Sequence, residues 1–325
     1  MKAVRIHKFG SKDALKLETV PIPEVGESEV LVRVNAAGIN PVDTYIREGS
    51  FAVLPTLPAI LGKEAAGVVE KVGDGVQGLK EGDRVFTCLP DNGGYAEYVT
   101  CKKNYVFPLS ERLSFSQGAG LYVPYFTAYR ALVIKCRIKP GEVLLIHGAS
   151  GAVGIAALQL AKACGVSVVG TAGTLEGMEL VKSLGADFVF NHKEKGYLNN
   201  AVAAIGGQGF NVVLENLANI NLGADLTVLN QQARVAVRIP VVGSRGSVEV
   251  NPRSLMLTES TIIGVKLMGN TEEEHLEAAG VILKGIEDGW VKPIIAREYA
   301  LEEASQAHHD IIHNKGARGK LVFKV

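Results

Sequence analysis

Residues 143–154, Val-Leu-Leu-Ile-His-Gly-Ala-Ser-Gly-Ala-Val-Gly, have the residue types and spacing that suit phosphate chemistry. An apolar run of strand length meets a cluster of small residues. A helical pattern extends from Ile155 to Lys162, with Gly165 as its stop signal. Strand, small-residue turn and helix together form the context in which such a turn binds a dinucleotide. The requirement is steric: a pyrophosphate must approach the N–H groups that open the helix, and side chains would block it. Ala149 stands where the first glycine usually does, so the pattern is Ala-x-Gly-x-x-Gly. The bland alternative is a tight strand-to-helix turn that binds nothing.

The residues beyond this turn bear on which nucleotide it takes. Sheets that prefer NAD place Asp or Glu about 20 residues past the turn, on the ribose hydroxyls. Here that position falls at Gly170-Thr171-Ala172-Gly173 and holds no carboxylate. Glu176 comes later and is expected to open the next helix, facing elsewhere. A 2′-phosphate therefore meets no like charge, which favours NADPH over NADH. No single arginine stands out as its clamp. His192, within Asn191-His192-Lys193, is a candidate for stacking or charge at the adenine end, or else an exposed loop histidine.

Two kinds of periodicity position these residues. Up to about Leu113 the chain is β-rich: 29–35 alternates at period two, and 68–72, 84–86 and 94–99 are short strands punctuated by glycine, as in a small barrel or sandwich. Between them Pro41 opens a short helix with Asn40 as its cap. Residues 116–132 are expected to be helical, interrupted near Pro124. Strands and helices then alternate through strands at 167–171, 188–190, 210–215 and 262–267, the signature of a parallel sheet with helices on both faces. A helix is expected over 272–288, and the tail 319–325 reads as a strand returning to the first domain.

Composition excludes several classes. The apolar fraction is 47% and the charged fraction 21% of 325 residues, ordinary for a globular chain of about two domains. Lys+Arg and Asp+Glu balance at 34 each, so bulk charge gives no argument for nucleic acid or an anionic membrane. The 4 cysteines form no CxxC pair, which suits a reducing compartment. Residues 1–7 alternate like a strand and lack the apolar core of a signal peptide. No apolar run approaches the roughly 18–20 residues of a membrane span. The expected location is the cytoplasm, with no membrane partner.

Several stretches carry a family likeness: 40–47 (Asn-Pro-Val-Asp-Thr-Tyr-Ile-Arg), 124–132 (Pro-Tyr-Phe-Thr-Ala-Tyr-Arg-Ala-Leu), 147–151, 170–174, and 242–246 together with 249–253. On these the chain resembles, over its whole length, the medium-chain dehydrogenase/reductase superfamily. Within it the likeness is to the quinone oxidoreductase branch and that branch's zeta-crystallin group. The resemblance implies an α/β protein with a GroES-like β-rich catalytic domain and a Rossmann doubly wound parallel-sheet domain, the active cleft lying between them. The expected boundaries are 1–116, completed by 268–325, for the first and 117–267 for the second. It implies NADPH as cofactor, with contacts at Tyr45, Ser150, Gly151, Ala152, Val153, Gly173, His192, Asn221, Val242, Gly243, Ser244, Arg245, Val265, Lys266 and Leu267, and Thr127 at the nicotinamide. It also implies a small-molecule quinone substrate and a homodimer or homotetramer. The family is associated with AU-rich RNA, which nothing in the composition supports.

Zinc members of the superfamily have a cysteine near the Asn40 position and Gly-His-Glu where this chain has Gly62-Lys63-Glu64. An amide and an ammonium are poor zinc ligands. The four-cysteine structural lobe is missing too, so no metal is expected. Quinones are already good electron acceptors, and positioning against the nicotinamide can supply most of the catalysis. Asn40, Asp43, Tyr45 and Thr127 are the candidate catalytic residues: Asn40 donating to a quinone oxygen, Tyr45 orienting the ring or donating a hydrogen bond, Asp43 either catalytic or merely capping beside Pro41. The resemblance allows hydride or one-electron transfer. The rivals are an enone or 2-enoyl reductase with Tyr45 as proton donor, and an RNA-binding or structural role.

One segment departs from its relatives. Residues 231–243, Gln-Gln-Ala-Arg-Val-Ala-Val-Arg-Ile-Pro-Val-Val-Gly, carry about four extra residues in place of a Gly-Gly-Arg-Val run. Pro240 is unwelcome in a central strand. Either the strand starts after Pro240 or the loop before it is lengthened, with substrate range the property most exposed to the change.

Overall fold

A period-two pattern builds the first unit, in which buried Val30, Val32 and Val34 alternate with exposed or half-exposed Arg33 and Asn35. The computed structural model describes residues 1–238, 247–313, 316 and 318–325. Contacts divide the chain into one unit of Met1–Val123, Lys292–Asn314 and Lys320–Val325 and another of Pro124–Val291 and Lys315–Gly319. The first unit begins with β1 (Lys2–Ile6), β2 (Lys16–Thr19), β3 (Glu29–Ile39), α1 (Pro41–Glu48), β4 (Ala59–Ile60), β5 (Glu64–Val72), β6 (Arg84–Cys88), β7 (Tyr98–Lys102), β8 (Val106–Pro108) and α2 (Phe115–Gly118). Strand β3 is its hub, pairing antiparallel with β5 and β7, while β2, β1 and β4 make a small separate sheet.

In the second unit α3 (Thr127–Tyr129) lies between π-wound turns Tyr122–Phe126 and Arg130–Lys135. The predicted helix thus breaks after Gly118, and Pro124 sits inside a π-wound turn. Next in the chain are β9 (Val143–Ile146), α4 (Ala152–Ala163), β10 (Ser167–Ala172), α5 (Leu175–Ser183), β11 (Phe188–Asn191), α6 (Tyr197–Ala204), β12 (Phe210–Glu215), α7 (Ala218–Asp225), β13 (Leu229–Arg238), α8 (Pro252–Thr258), β14 (Thr261–Val265) and α9 (Glu272–Glu287). The strands form one parallel sheet in the order β11-β10-β9-β12-β13-β14. This is the doubly wound order, with its switch point between β9 and β12. Leu145, Val169, Val213 and Val235 run through its core, and strands covered on both faces are accordingly near-continuously apolar.

The first unit closes with β15 (Ile295–Tyr299), α10 (Ala304–His313) and β16 (Lys320–Lys324). As the tail pattern suggests, β16 returns to pair antiparallel with β3. The expected boundaries shift. The first unit runs to Val123, and residues 268–291 stay with the second instead of completing the first. Packing explains this. Helix α9 buries Ala278, Ala279, Ile282 and Ile286, Tyr129 donates to Glu277, and Arg130 donates to Gly269 O and pairs with Glu274.

Residues 239–243 of the departing segment lie outside the described residues. Ahead of them strand β13 runs from Leu229 to Arg238. Its register against β12 jumps from Phe210↔Leu229 to Val212↔Arg234, so residues 230–233 leave the ladder as a bulge at the start of the strand. The bulge is pinned by Gln231 Nε2 donating to Leu257 O.

Candidate active site

The carboxyl edge of the parallel sheet gathers the expected cofactor residues of the second unit. Ser150–Val153 come after β9, Gly173 after β10 and His192 after β11; Asn221 lies on α7 after β12, while Val265 ends β14 and Lys266 and Leu267 follow it. Val242, Gly243, Ser244 and Arg245 lie outside the described residues. Gly151 caps the 12-residue α4 in an extended conformation with no side-chain hydrogen bond, and it bridges Gly319, whose N–H donates to Ser150 O at 2.8 Å. Small residues here let a phosphate approach the helix N-terminus. Ala149 replaces the first glycine because room is made opposite. A Cβ on Gly170 would come within 3.0 Å of the Ala149 Cβ.

Beyond β10 there is no carboxylate, and Glu176 is exposed in the first turn of α5. A cation is there instead: Lys193 Nζ donates to Gly173 O at 2.6 Å, a residue that the sequence pattern does not single out. Burial, then His147 and Lys193, hold the pKa of His192 below the ordinary histidine value. It is therefore neutral near pH 7 and better suited to stacking than to charge.

In the first unit, Asn40, Asp43 and Tyr45 share the start of α1, and all three are buried. Asn40 Nδ2 donates to Glu64 Oε1 at 2.9 Å. Lys320 Nζ donates at 2.5 Å to both Asn40 Oδ1 and Glu64 Oε1, and Val123 N donates to Glu64 Oε2 at 2.8 Å. Lys320 and Glu64 are 3% and 0% exposed. Asn40, which stands where the zinc members have a cysteine, is thus tied to Glu64 by an internal ammonium ion. An amide, an ammonium and one carboxylate do not make a zinc site. Lys320 gave no signal in the sequence beyond its place in the terminal strand.

Asp43 Oδ2 accepts from Asn40 N at 2.9 Å and Tyr95 OH at 2.8 Å, so the capping role is real. The chain of bonds continues. Arg47 Nη1 lies 3.1 Å from His308 Nδ1, and His308 Nε2 lies 3.3 Å from Tyr95 OH. Arginine only donates, so Nδ1 accepts and Nε2 carries the proton. Burial and Arg47 push the His308 pKa down to about 3. Because arginine does not release a proton, this is an orienting chain and not a proton path.

Burial raises the Asp43 pKa to about 6, against the lowering pull of Tyr95 and Lys63. A raised carboxyl favours the folded state below its unfolded pKa, and that advantage is lost as pH rises through about 6. The loss amounts to roughly 3 kcal/mol at 1.36 kcal/mol per pKa unit. Asp43→Asn should flatten the urea-midpoint profile between pH 4 and 6. An unchanged slope in that window would show that another group titrates there.

Thr127, 2% exposed, belongs to the second unit on α3. A further polar group was missed altogether: His147, Glu215 and Asp225, buried at the ends of β9, β12 and α7. His147, directly ahead of the glycine turn, was the one visible clue.

A β-rich unit completed by the C-terminal strand, and a six-stranded parallel sheet with a glycine turn after its first strand, define a medium-chain dehydrogenase/reductase. The alcohol dehydrogenase GroES-like domain family matches residues 26–111, and the zinc-binding dehydrogenase family matches residues 152–280. The chain is 49% identical over 324 residues to a quinone oxidoreductase of Rattus norvegicus, covering 99% of this chain and 97% of that protein. It is 47% identical over 326 residues to one of Homo sapiens, with the same coverage. The crystal structure of Escherichia coli quinone oxidoreductase complexed with NADPH aligns at a TM-score of 0.89 and 31% identity over 100% of both chains. The chain belongs to the quinone oxidoreductase family.

Proposed function

We propose that the chain is a zinc-independent NADPH:quinone oxidoreductase. The observation that carries this reading is the pairing of a glycine turn that opens a 12-residue helix with a Lys320–Glu64 ion pair at Asn40, where zinc members carry a cysteine. NADPH, when bound, supplies the reducing equivalents. The N-terminal turn of α4 would hold the pyrophosphate, and Lys193, beside Gly173, would supply a cation to a 2′-phosphate. Asn40, Tyr45 and Thr127 orient nicotinamide and quinone, while Asp43 holds the start of α1 in place. A quinone needs no Lewis acid, since conjugation stabilises its reduced oxygens.

The test is turnover with NADPH of 9,10-phenanthrenequinone against a crotonyl thioester. Quinone reduction is expected. Reduction of the thioester alone would replace this reading with that of an enoyl reductase. Lys193→Glu should weaken NADPH binding by roughly tenfold or more, the worth of a hydrogen bond to a charged group, and leave NADH binding unchanged. Equal loss for both nucleotides would remove Lys193 from the phosphate site. We also propose a homo-oligomer: β14 is an edge strand with Ile262 exposed, beside exposed Met256 and Leu257 of α8.

A further inference from the structure

His147, Glu215 and Asp225 are 2%, 0% and 0% exposed. His147 Nε2 lies 2.7 Å from Asp225 Oδ1 and 3.6 Å from Glu215 Oε2. Glu215 Oε2 and Asp225 Oδ2 have no donor from the rest of the protein, and the two carboxyls face each other closely enough to share a hydrogen bond when one is protonated. Two buried carboxylates with unpaired oxygens are costly, and a proton held on one of them relieves both. A separation of 2.7 Å suits a shared proton better than two ligands spread around one metal ion at about 2.0–2.2 Å.

The cluster grips the cofactor edge. Asn216 Nδ2 donates to His147 O at 2.8 Å. Glu215 Oε1 accepts from Leu217 N and, at 3.3 Å, from Asn221 Nδ2. Thr171 Oγ1 accepts from Gly148 N at 3.2 Å and lies 3.5 Å from His147 Nδ1. The ends of β9 and β12 are therefore fastened to each other through Asn216, and the start of α7 to the Glu215 side chain.

We propose that His147, Glu215 and Asp225 form a positioning cluster for the cofactor edge that takes a proton from solvent when the dinucleotide binds. This rests on the NADPH reading above. An incoming anion favours the protonated form of nearby carboxyls. Burial already holds both carboxyls well above the ordinary range, to about 7, and holds His147 low. The pair titrates as a unit. The other titratable groups facing it are Tyr197 of α6, edge-on to His147, and His192 with Lys193 after β11. Thr171, Asn216 and Asn221 complete its surroundings as neutral groups. The sign is fixed by linkage. Affinity for the dinucleotide falls as pH rises through about 7, by at most about tenfold per pH unit for one proton.

The experiment is calorimetric titration of the full chain with NADPH in two buffers of different ionisation enthalpy, together with dissociation constants from pH 6 to 8.5. The 2′-phosphate has its own titration near pH 6, common to all variants. Wild type should take up more proton than Glu215→Gln, whose neutral amide stands in for the protonated acid and keeps the acceptor for Leu217 and Asn221. The variant's affinity should stay nearly level where that of wild type falls. Asp225→Asn serves as the second variant and should also reduce proton uptake. Equal uptake and parallel profiles in all three proteins would overturn the proposal, as would a stoichiometric metal lost with Glu215. Absence of NADPH binding by wild type would instead overturn the cofactor reading and this one with it.

Discussion

Lys320→Met should destabilise the protein by about 3–5 kcal/mol, the cost of leaving one member of a buried ion pair uncompensated. Glu64 keeps Asn40 Nδ2 and Val123 N as donors, so the carboxylate is still hydrogen-bonded but loses its Lys320 counter-charge. Urea unfolding checks this. Adding Glu64→Gln to Lys320→Met should recover much of the loss, because the remaining buried groups are then neutral. A single variant as stable as wild type would show that Lys320 is not the counter-charge. Asn40 makes the matter functional: Oδ1 loses its Lys320 donor, and the amide is then held through Nδ2 on Glu64 alone. Quinone turnover should then drop more than NADPH affinity does.

The second large effect concerns the glycine turn. A Cβ on Gly154 would lie 2.4 Å from Gly148 O and 2.6 Å from Ala149 Cα, both backbone atoms that cannot swing aside. Gly154→Val should force β9 and α4 apart, costing about 1–3 kcal/mol or more and abolishing dinucleotide binding with it. Gly148 is the control. Nothing lies within 4 Å of a Cβ there, but its φ is +62°. Gly148→Ala should cost about 1–2 kcal/mol through conformation alone and leave the turn in place. NADPH titration alongside thermal unfolding separates the two. Similar binding losses in both variants would mean that the turn is sensitive to chain stiffness and not to the close approach of α4.

These cases mark how far the sequence reaches. The β9–α4 turn, the switch from period two to strand–helix alternation, the missing acid after β10 and the short helix opened by Pro41 were all legible. Each depends on residues within a turn or two of one another, where sterics and backbone hydrogen bonding decide the conformation. The bulge before Arg234 was not legible in the sequence. Which residues leave a ladder depends on the partner strand, here the pairing of Phe210 and Val212 with Leu229 and Arg234. The place of α9 depended likewise on which buried face it found.

The two buried polar groups that shape the site were decided by tertiary structure alone. Lys320 meets Glu64 across 256 positions, and His308 meets Arg47 across 261. No local propensity records such a pairing, because it exists only where folding removes water and leaves a charge needing a partner. By itself the sequence determined that this chain builds a dinucleotide turn and lacks zinc's usual ligands. The tertiary structure decided what meets Asn40 and Glu64 instead: an ammonium from the last strand, brought there because β16 returns to pair with β3.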